Sequence, residues 1–461
     1  MTETAVLILA AGDGKRMKSP HPKALCQVLF KPMISWVLDV CTKAGYQAGQ
    51  ICVVCGKGGE ELQELLPEGT QTAWQEERLG TGHAAAQAEK FLRSLPEGAQ
   101  VMILFGDAPF ISESLILDSQ KAHLESGAKL TVVTAPVENP RGYGRIIRDK
   151  EYNLLGIVEE RDASEEQKKI CEIASGAMWA DVRWLLSALP RLQNDNAQKE
   201  YYLTDCAALA AKDQVKALAY VAPDSDAVLG ANSRAELLKL NQIAARRVLE
   251  KHMANGVEVL SPDGVLIGSE VVIGVGTTIY PGTILKGKTI IGEGCTIGPN
   301  TMIEDSSIGN GCVINASQIE NAVLEDNISM GPFAHIRPNS HIGNSVHLGN
   351  FTEVKNSNIG DRTAVSHLTY VGDSDVGEAV NFGCGCVTVN YDGMNKHRTT
   401  IGNHAFIGCN TNLIAPVKVG DFGFTAAGST ITEDVPENSL AIERGKQYNK
   451  SGWSKGKIKI K

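Results

Sequence analysis

The stretch VLIGSEVVIGVGTTIYPGTILKGKTIIGEGCTIGPNTMIE, residues 265–304, decides the fold of the second half of this chain. An aliphatic residue, often followed by glycine, recurs there at every sixth position, and the same period returns further along. Its members are Ile267, Ile273, Ile279, Ile291, Ile297, Ile303, Ile336, Ile342, Leu348, Val354, Ile401, Ile407, Leu413, Val419 and Ile431. This repeat predicts a solenoid in which each unit contributes one short strand and one inward-facing aliphatic side chain. With three units per turn, each strand pairs with the strand one coil away, at ~4.8 Å.

The period fails between Val371 and Thr400. The sequence CGCVTVNYDGMNKH, residues 384–397, lies in this interruption. A long polar interruption of a solenoid predicts a loop, and such loops often carry function. A tolerated surface insertion is the alternative.

Residues 1–230 follow a different pattern, in which short apolar strands alternate with helical segments such as Met33–Cys41 and Gly82–Leu92. The predicted strands are Val6–Leu9, Ile51–Val54, Val101–Leu104 and Leu130–Val133. This alternation predicts an α/β fold with a parallel sheet covered on both faces.

A single helix is predicted between the two halves. Ser233 and Glu236 fit a capping box at its start, Gly256 fits its end, and apolar residues recur between them at helical spacing. We therefore expect an α/β domain at 1–232, a linker helix at 233–255 and a solenoid domain at 256–461.

Composition narrows the class of protein. The net charge of -9 over 461 residues argues against nucleic-acid binding. No apolar run approaches the ~20 residues that cross a bilayer, so membrane insertion is not expected. The 11 cysteines show no metal-ligand or disulfide spacing, which predicts reduced thiols and a cytoplasmic location. The basic segment 450–461 is expected to be a solvated tail.

A phosphate site is predicted directly after the first strand. The sequence LAAGDGKRM, residues 9–17, combines a glycine turn with Lys15 and Arg16, and Lys23 adds a further cation. Asp107 follows Gly106 at the end of a later strand and suits a Mg²⁺ ligand. The pattern is not a Walker A motif.

These motifs, together with Gln75 and the pair Gly80-Thr81, resemble those of the sugar-phosphate nucleotidyltransferases. With the hexapeptide half, the whole chain resembles the bacterial bifunctional N-acetylglucosamine-1-phosphate uridylyltransferase and glucosamine-1-phosphate N-acetyltransferase family. The resemblance implies a Rossmann-like α/β domain, a linker helix and a left-handed β-helix. It also implies a cytoplasmic homotrimer that uses Mg²⁺, UTP, acetyl-CoA and glucosamine 1-phosphate. N-acetylglucosamine 1-phosphate would be its intermediate, and its product would feed peptidoglycan and lipopolysaccharide precursor synthesis.

The resemblance also implies site residues in the first domain. Asp107 and Asn232 would bind Mg²⁺, Arg16 and Lys23 the phosphates, and Gly144 and Glu159 the sugar. The full set of substrate-binding positions is Leu9, Ala10, Ala11, Gly12, Arg16, Lys23, Gln75, Gly80, Thr81, Phe105, Gly106, Asp107, Gly144, Glu159, Ala174 and Asn232. Lys15 and the pair Ala174-Ser175 depart from the family, which usually has Thr and Asn-Thr there.

A second site is predicted on the solenoid. Arg337 and Lys355 are eighteen residues apart, so they should lie on adjacent coils. By resemblance, His367 is the general base for acetyl transfer, and Arg337 and Lys355 hold a sugar phosphate. Glu353 is a candidate to orient His367. The remaining implied positions are Tyr370, Asn381, Asn390 and Tyr391 for the sugar and acetyl group, and Cys384, Cys409, Ala427 and Arg444 for acetyl-CoA.

Two other hypotheses compete with this one. In the first, the solenoid only assembles or regulates a single-activity nucleotidyltransferase, and His367, Lys355 and the Asn390-Tyr391 loop argue against it. In the second, the chain is a non-enzymatic scaffold, and the presence of both candidate metal ligands argues against it.

Overall fold

The computed structural model describes residues 2–455 and residue 457. Met1, Gly456 and residues 458–461 lie outside the described residues, and so does the side chain of Lys15. The end of the predicted basic tail therefore lies outside them as well. The contacts divide the chain into two compact units, Met1–Ala244 and Ala245–Lys461. In the part of the chain that is described, no helix is long and apolar enough to span a bilayer.

The first unit is an α/β domain around one twisted sheet. Its strands are β1 (Thr4–Leu9), β2 (Gln27–Val28), β3 (Lys31–Pro32), β4 (Ile51–Gly56), β5 (Gln71–Gln75), β6 (Gln100–Phe105), β7 (Leu130–Pro136), β8 (Arg145–Arg148), β9 (Leu154–Val158), β10 (Glu172–Asp181) and β11 (Ala217–Val221). The central sheet has the order β11-β7-β10-β6-β1-β4-β5, β8 and β9 extend it beside β10, and β2 and β3 form a separate hairpin. The four strands predicted from the sequence are β1, β4, β6 and β7, and all are almost completely buried because helices cover both faces of the sheet.

Helices connect these strands. They are α1 (Met33–Lys43), α2 (Glu60–Gln63), α3 (Thr81–Gln87), α4 (Glu89–Ser94), α5 (Glu113–Ser126), α6 (Val182–Ala188), α7 (Cys206–Lys212) and α8 (Arg234–Ala254). The predicted helix Gly82–Leu92 is in fact two helices, α3 and α4, that meet at Ala88. The predicted strands β1, β4, β6 and β7 run parallel to one another, but the sheet also contains antiparallel strands that were not predicted, since β10 runs antiparallel to β6 and β7, and β8 to β9 and β10.

The boundary between the two units falls inside α8. The hydroxyl of Ser233 accepts a hydrogen bond from the Glu236 amide at 3.2 Å, as the capping-box prediction requires. The Glu236 carboxylate does not return to Ser233, and it accepts instead from the amide of Asn232 at 2.5 Å. The start of α8 therefore fixes the backbone of a predicted site residue.

The second unit is a parallel β-helix with three faces. Face 1 contains Glu258–Val259, Thr278–Ile279, Thr296–Ile297, Val313–Ile314, Ser329–Met330, His347–Asn350, Ala364–His367, Asn381–Phe382, Phe406–Ile407, Phe424–Thr425 and Leu440–Ala441. Face 2 contains Leu266–Ile267, Ile284–Lys286, Met302–Glu304, Gln318–Glu320, His335–Ile336, Glu353–Lys355, Tyr370–Gly372, Val387–Val389, Asn412–Ile414 and Thr430–Ile431. Face 3 contains Val272–Ile273, Ile290–Ile291, Ser307–Ile308, Ala322–Leu324, Ser340–Ile342, Asn358–Ile359, Ser374–Val376, Thr399–Ile401 and Val417–Val419.

The hexapeptide period explains this core. Every aliphatic residue that defined the period is buried, and residues one coil apart pair directly, as Ile279 does with Ile297. The predicted interruption from Val371 to Thr400 is too long, because strands continue to Val389 and only residues 390–398 leave the coil. Two features hide the continuing repeat in the sequence. The step from Val371 to Val376 is five residues instead of six, and a buried threonine, Thr388, takes the place of an aliphatic residue.

Candidate functional site

A cleft of about 740 Å³ opens in the first unit at the carboxyl ends of β1 and β6. Open α/β sheets bind ligands at this edge. The cleft brings together every predicted position of the unit except Gly106, namely Leu9, Ala10, Ala11, Gly12, Arg16, Lys23, Gln75, Gly80, Thr81, Phe105, Asp107, Gly144, Glu159, Ala174 and Asn232. Gly106 lies just behind it, and its amide donates to the carbonyl of Leu9 at 2.9 Å, which joins the ends of β1 and β6.

One ammonium group joins the two predicted metal ligands. Lys23 Nζ forms a short ion pair with Asp107 and donates to Asn232 Oδ1 at 2.6 Å. The amide of Lys23 donates to the carbonyl of Gly12 at 3.2 Å, which ties this lysine to the glycine turn. A carboxylate and an amide oxygen from residues far apart in the sequence therefore converge on one cation.

Arg78 supports the glycine turn from the other side, and the sequence did not single it out. Its Nε donates to the carbonyl of Ala11 at 2.9 Å, and a terminal nitrogen donates to the carbonyl of Lys57 at 2.8 Å. The other terminal nitrogen lies 3.4 Å from a carboxylate oxygen of Asp13. Arg78 thus fixes the backbone of the turn against the loop that follows β4.

The segment before α3 is held by backbone contacts that need glycine. Gly80 has φ of 107°, and a Cβ on it would lie 2.5 Å from the carbonyl oxygen of Tyr201. Gln75 Nε2 donates to the carbonyl of Gly80 at 3.0 Å, and Thr81 Oγ accepts from the amide of Leu203 at 3.0 Å. These bonds leave little freedom in this part of the cleft.

Glu159 lies at the far side of the cleft. Thr204 donates its hydroxyl to Glu159 Oε1 at 2.8 Å, and a Cβ on Gly144 would lie 3.3 Å from the same oxygen. Burial raises the pKa of Glu159, and the nearby carboxylates of Asp205 and Asp162 raise it further. Thr204 lies in the segment that leads into α7.

The pairing of β10 with β7 shifts register between Ala174 and Met178, and Ser175 lies in this irregular stretch. The Ser175 hydroxyl donates to the carbonyl of Val133 at 2.8 Å and accepts from the amide of Ala177 at 3.0 Å. Gly176 has φ of 80°, and a Cβ there would overlap the ring of Phe105. Ala174 lines the cleft without a polar group, so it cannot replace the side-chain contact of an asparagine.

Cations cluster on face 2 of the β-helix. The pairing of Ile336 with Val354 places the next residues, Arg337 and Lys355, on adjacent rungs. Arg337 also pairs with Glu353 at 3.0 Å. The contact with Lys396 lowers the pKa of the Lys355 ammonium and has the largest effect. Partial burial and the charge of Arg337 lower this pKa further. Three like charges held this close favour an anion between them.

A second set of polar residues borders this cluster. Asn390 donates to Asp373 in a short hydrogen bond, and its amide nitrogen lies 3.4 Å from the Tyr370 hydroxyl. Burial opposes ionisation of Asp373, but hydrogen bonds from Asn356 and Asn390 and the charges of Lys355 and Lys396 outweigh it and lower its pKa. Asn390 is thereby fixed beside the cations.

His367 lies at the end of a face 1 strand, at the corner where the chain turns towards face 2. Its Nδ1 lies 2.9 Å from Asn350 Oδ1 on the adjacent rung. Asn350 therefore orients the imidazole, and Glu353, the candidate from the sequence, bonds to Arg337 instead. The sequence signal for Asn350 was its distance of seventeen residues, one coil, from His367.

The positions expected to bind acetyl-CoA continue along the same corner. The amide of Gly385 donates to the carbonyl of His367, that of Asn410 to Cys384, and that of Gly428 to Cys409. Cys384, Cys409 and Ala427 thus follow His367 on successive rungs, and a guanidinium nitrogen of Arg444 donates to the carbonyl of Ala427 at 2.7 Å.

Two predicted residues lie beside these groups. Asn381 is on the face 1 strand that leads to Cys384. Tyr391 is exposed in the loop 390–398, and its hydroxyl donates to the carbonyl of Gly393 at 2.6 Å.

Two known families match separate parts of the chain. The MobA-like NTP transferase domain matches residues 6–252, and the GlmU-like, C-terminal hexapeptide family matches residues 296–385. These matches and the three parallel sheets confirm the predicted fold class, a nucleotidyltransferase α/β domain followed by a left-handed β-helix of hexapeptide repeats.

Curated relatives match the chain from end to end. The bifunctional protein GlmU of Thermoanaerobacter pseudethanolicus is 48% identical over 459 residues, which cover 100% of this chain and 99% of the relative. The protein of the same name from Caldanaerobacter subterraneus subsp. tengcongensis is also 48% identical with the same coverage. That of Clostridium acetobutylicum is 47% identical over 98% of this chain and 99% of its own length. The chain therefore belongs to the family of bifunctional GlmU proteins.

Proposed function

We propose that the chain makes UDP-N-acetylglucosamine from glucosamine 1-phosphate in two steps, each at its own site. The β-helix transfers the acetyl group of acetyl-CoA to the sugar amine. The α/β unit then joins the resulting N-acetylglucosamine 1-phosphate to the uridylyl group of UTP and releases pyrophosphate. The observation that carries this proposal is full-length similarity to relatives named as bifunctional, in a chain whose cleft and β-helix corner bring the predicted site residues together.

The cleft of the first unit suits the uridylyl transfer. A phosphate oxygen of the sugar phosphate attacks the α-phosphorus of UTP, so no protein nucleophile is needed. Arg16 and Lys23 bind the phosphates and neutralise negative charge as the pyrophosphate leaves. Gln75, Gly80 and Thr81 hold the nucleoside, and Gly144 and Glu159 hold the sugar.

The first site also suits a divalent metal. Asp107 and Asn232 would hold Mg²⁺, and the convergence of their oxygens on the Lys23 ammonium supports this assignment. Among the described residues no cluster of three or more acidic, His or Cys side chains could hold a metal. Mg²⁺ that is shared with substrate phosphates does not need such a cluster. When bound, Mg²⁺ supplies charge neutralisation at the triphosphate.

The corner and face 2 of the β-helix suit the acetyl transfer. Arg337, Lys355 and Lys396 bind the phosphate of glucosamine 1-phosphate. His367 takes a proton from the sugar amine as that amine attacks the acetyl thioester, and Asn350 keeps the imidazole in one orientation. The corner positions Cys384, Cys409 and Ala427, with Arg444, bind acetyl-CoA, and Tyr370, Asn381, Asn390 and Tyr391 enclose the sugar and acetyl group.

The β-helix also supports the proposal of a homotrimer. Phe333 and Phe351 stack on adjacent rungs with ring centroids 5.5 Å apart, although they are 61% and 54% exposed. Leu368 continues the column on the next coil and is 58% exposed. An apolar column of this kind is expected to be covered by a second copy of the chain.

A product assay tests the function. The purified chain is given glucosamine 1-phosphate, acetyl-CoA, UTP and Mg²⁺, and each component is then withheld in turn. We expect UDP-N-acetylglucosamine only in the complete mixture, and release of free coenzyme A without UTP. If product forms only when N-acetylglucosamine 1-phosphate is supplied, the β-helix does not catalyse acetyl transfer and the proposal is wrong for that half.

A further inference from the structure

One corner of the β-helix carries an amide, an imidazole and two thiols on consecutive rungs. The face 1 pairing of Leu348 with Val365 and of Val365 with Phe382 places Asn350, His367 and Cys384 in register. The pairing of Phe382 with Ile407 places Cys409 next. Neighbouring rungs of a parallel sheet are ~4.8 Å apart. The contact of 2.9 Å between His367 Nδ1 and Asn350 Oδ1 shows that side chains on consecutive rungs of this corner meet.

The order of these groups matters for their chemistry. Asn350 engages Nδ1 of His367, which leaves Nε2 as the nitrogen available for proton transfer. Cys384 is on the rung that follows His367, on the side opposite Asn350. A thiol, an imidazole and an oriented amide are the groups that cysteine acyl-transfer enzymes use to form a thioester on the protein.

We propose that Cys384 is an acetylation site at which the chain takes the acetyl group from acetyl-CoA in the absence of a sugar acceptor. This inference rests on the proposed acetyl-CoA site. The sulfur of Cys384 attacks the acetyl carbonyl carbon, a new carbon–sulfur bond forms, and the bond to the coenzyme A sulfur breaks. The thiol proton passes to His367 and then to the departing coenzyme A. One thioester replaces another, so no oxidant or reductant is required, and added coenzyme A reverses the reaction.

The other cysteines are less suited to this exchange. Cys409 is exposed but lies one rung further from His367. Cys386 is buried, and burial raises its pKa to about 11. Cys171 is exposed but belongs to the first unit. Among the described cysteines, Cys384 alone combines partial exposure with a place on the rung next to the imidazole.

The test uses the full chain with acetyl-CoA and no sugar. Intact-mass and peptide mass spectrometry should find one added acetyl group per chain, on Cys384. Exposed Cys171 serves as an internal control for spontaneous acetylation, which should be at least tenfold slower there. Coenzyme A should remove the group, and the variant Cys384→Ala should not gain it. His367→Gln should slow acetylation of Cys384 at least tenfold, which separates assisted transfer from mere exposure.

The same preparation must also be assayed for acetyl transfer to glucosamine 1-phosphate. If it acetylates the sugar but Cys384 stays free, the inference is overturned and the proposed function stands. Acetylation of Cys409 instead of Cys384, or equal rates at Cys384 and Cys171, would also overturn it. If the chain does not acetylate the sugar, the proposed function itself fails.

Discussion

Lys23 lies between the oxygens of Asp107 and Asn232, two residues that are far apart in the sequence. A flexible ammonium can neutralise a carboxylate there and then turn to a phosphate when the nucleotide arrives. The backbone of Asn232 is fixed beside this lysine, because Glu236 in the first turn of α8 accepts a hydrogen bond from the Asn232 amide. At the residue scale, the first site is therefore built around one position for a cation.

The bonds of Arg78 lead to a prediction for nucleotide binding. The variant Arg78→Gln loses the guanidinium group that donates hydrogen bonds to the carbonyls of both Ala11 and Lys57. We expect kcat/KM for UTP to fall about tenfold, which corresponds to ~1.4 kcal/mol. Acetyl transfer by the same variant should not change. Arg93→Gln is the matched control, since Arg93 forms a solvent-exposed ion pair with Glu89, and equal losses in both variants would contradict the role given to Arg78.

A buried histidine predicts how the stability of the first unit depends on pH. His123 packs between Gln100 Oε1 at 2.9 Å and Thr131 Oγ1 at 2.7 Å, and burial lowers its pKa to about 4. An unfolded histidine titrates near ~6.5, so the unfolded state binds more protons between these values. The free energy of unfolding should therefore fall by about 3 kcal/mol as the pH drops from 6.5 to 4. Urea unfolding at several pH values in this range measures the free energy of unfolding. The variant His123→Gln should make this free energy less dependent on pH.

Residue roles could be predicted from the sequence only where a motif or a coil spacing marks them. Arg337 and Lys355 share a face because they are eighteen residues apart. The spacing favours Asn350, seventeen residues before His367, over Glu353, fourteen residues before it, but spacing alone does not show which side chain bonds to the imidazole. The side-chain geometry decides for Asn350, because Glu353 has a closer partner in Arg337.

At the scale of elements, each two-residue strand of face 1 has one inward and one outward side chain. Ile314 is fully buried while its neighbour Val313 is 47% exposed. Rungs are stable because their inward residues stack in columns through the coil. The outward residues are free to vary, which is how a site can be placed on this fold.

This difference gives a paired prediction within one strand. Ile314→Ala removes a fully buried side chain and should lower the free energy of unfolding of the β-helix by about 2–5 kcal/mol. Val313→Ala should change it by no more than about 0.5 kcal/mol. Urea unfolding of the two variants compares them, and similar losses would contradict the inward and outward assignment.

Elements were predictable in proportion to the strength of their periodicity. The coil and the strands β1, β4, β6 and β7 follow from apolar patterns. The antiparallel direction of β10 has no local signal, because it is set by its pairing with β6 and β7. The split between α3 and α4 at Ala88 also lacks a glycine or proline that would mark it.

At the scale of the whole molecule, the exposed column of Phe333, Phe351 and Leu368 predicts assembly. We expect light scattering to give three chain masses for the wild type. Phe351→Glu should lower that mass and reduce acetyl transfer while uridylyl transfer persists. Leu117→Glu, at an exposed position of α5, is the control and should stay trimeric. A wild-type monomer would contradict the proposed homotrimer.

The central claim is that one chain holds two sites that work through a free intermediate. The most direct test mixes two inactive variants, Asp107→Ala and His367→Ala, with glucosamine 1-phosphate, acetyl-CoA, UTP and Mg²⁺. Each variant alone should form no UDP-N-acetylglucosamine, because Asp107→Ala stops after acetyl transfer and His367→Ala cannot begin it. The mixture should restore product, since N-acetylglucosamine 1-phosphate diffuses from one variant to the other. If either variant alone makes the product at the wild-type rate, or if the mixture stays inactive although each variant keeps its other half-reaction, the account is contradicted.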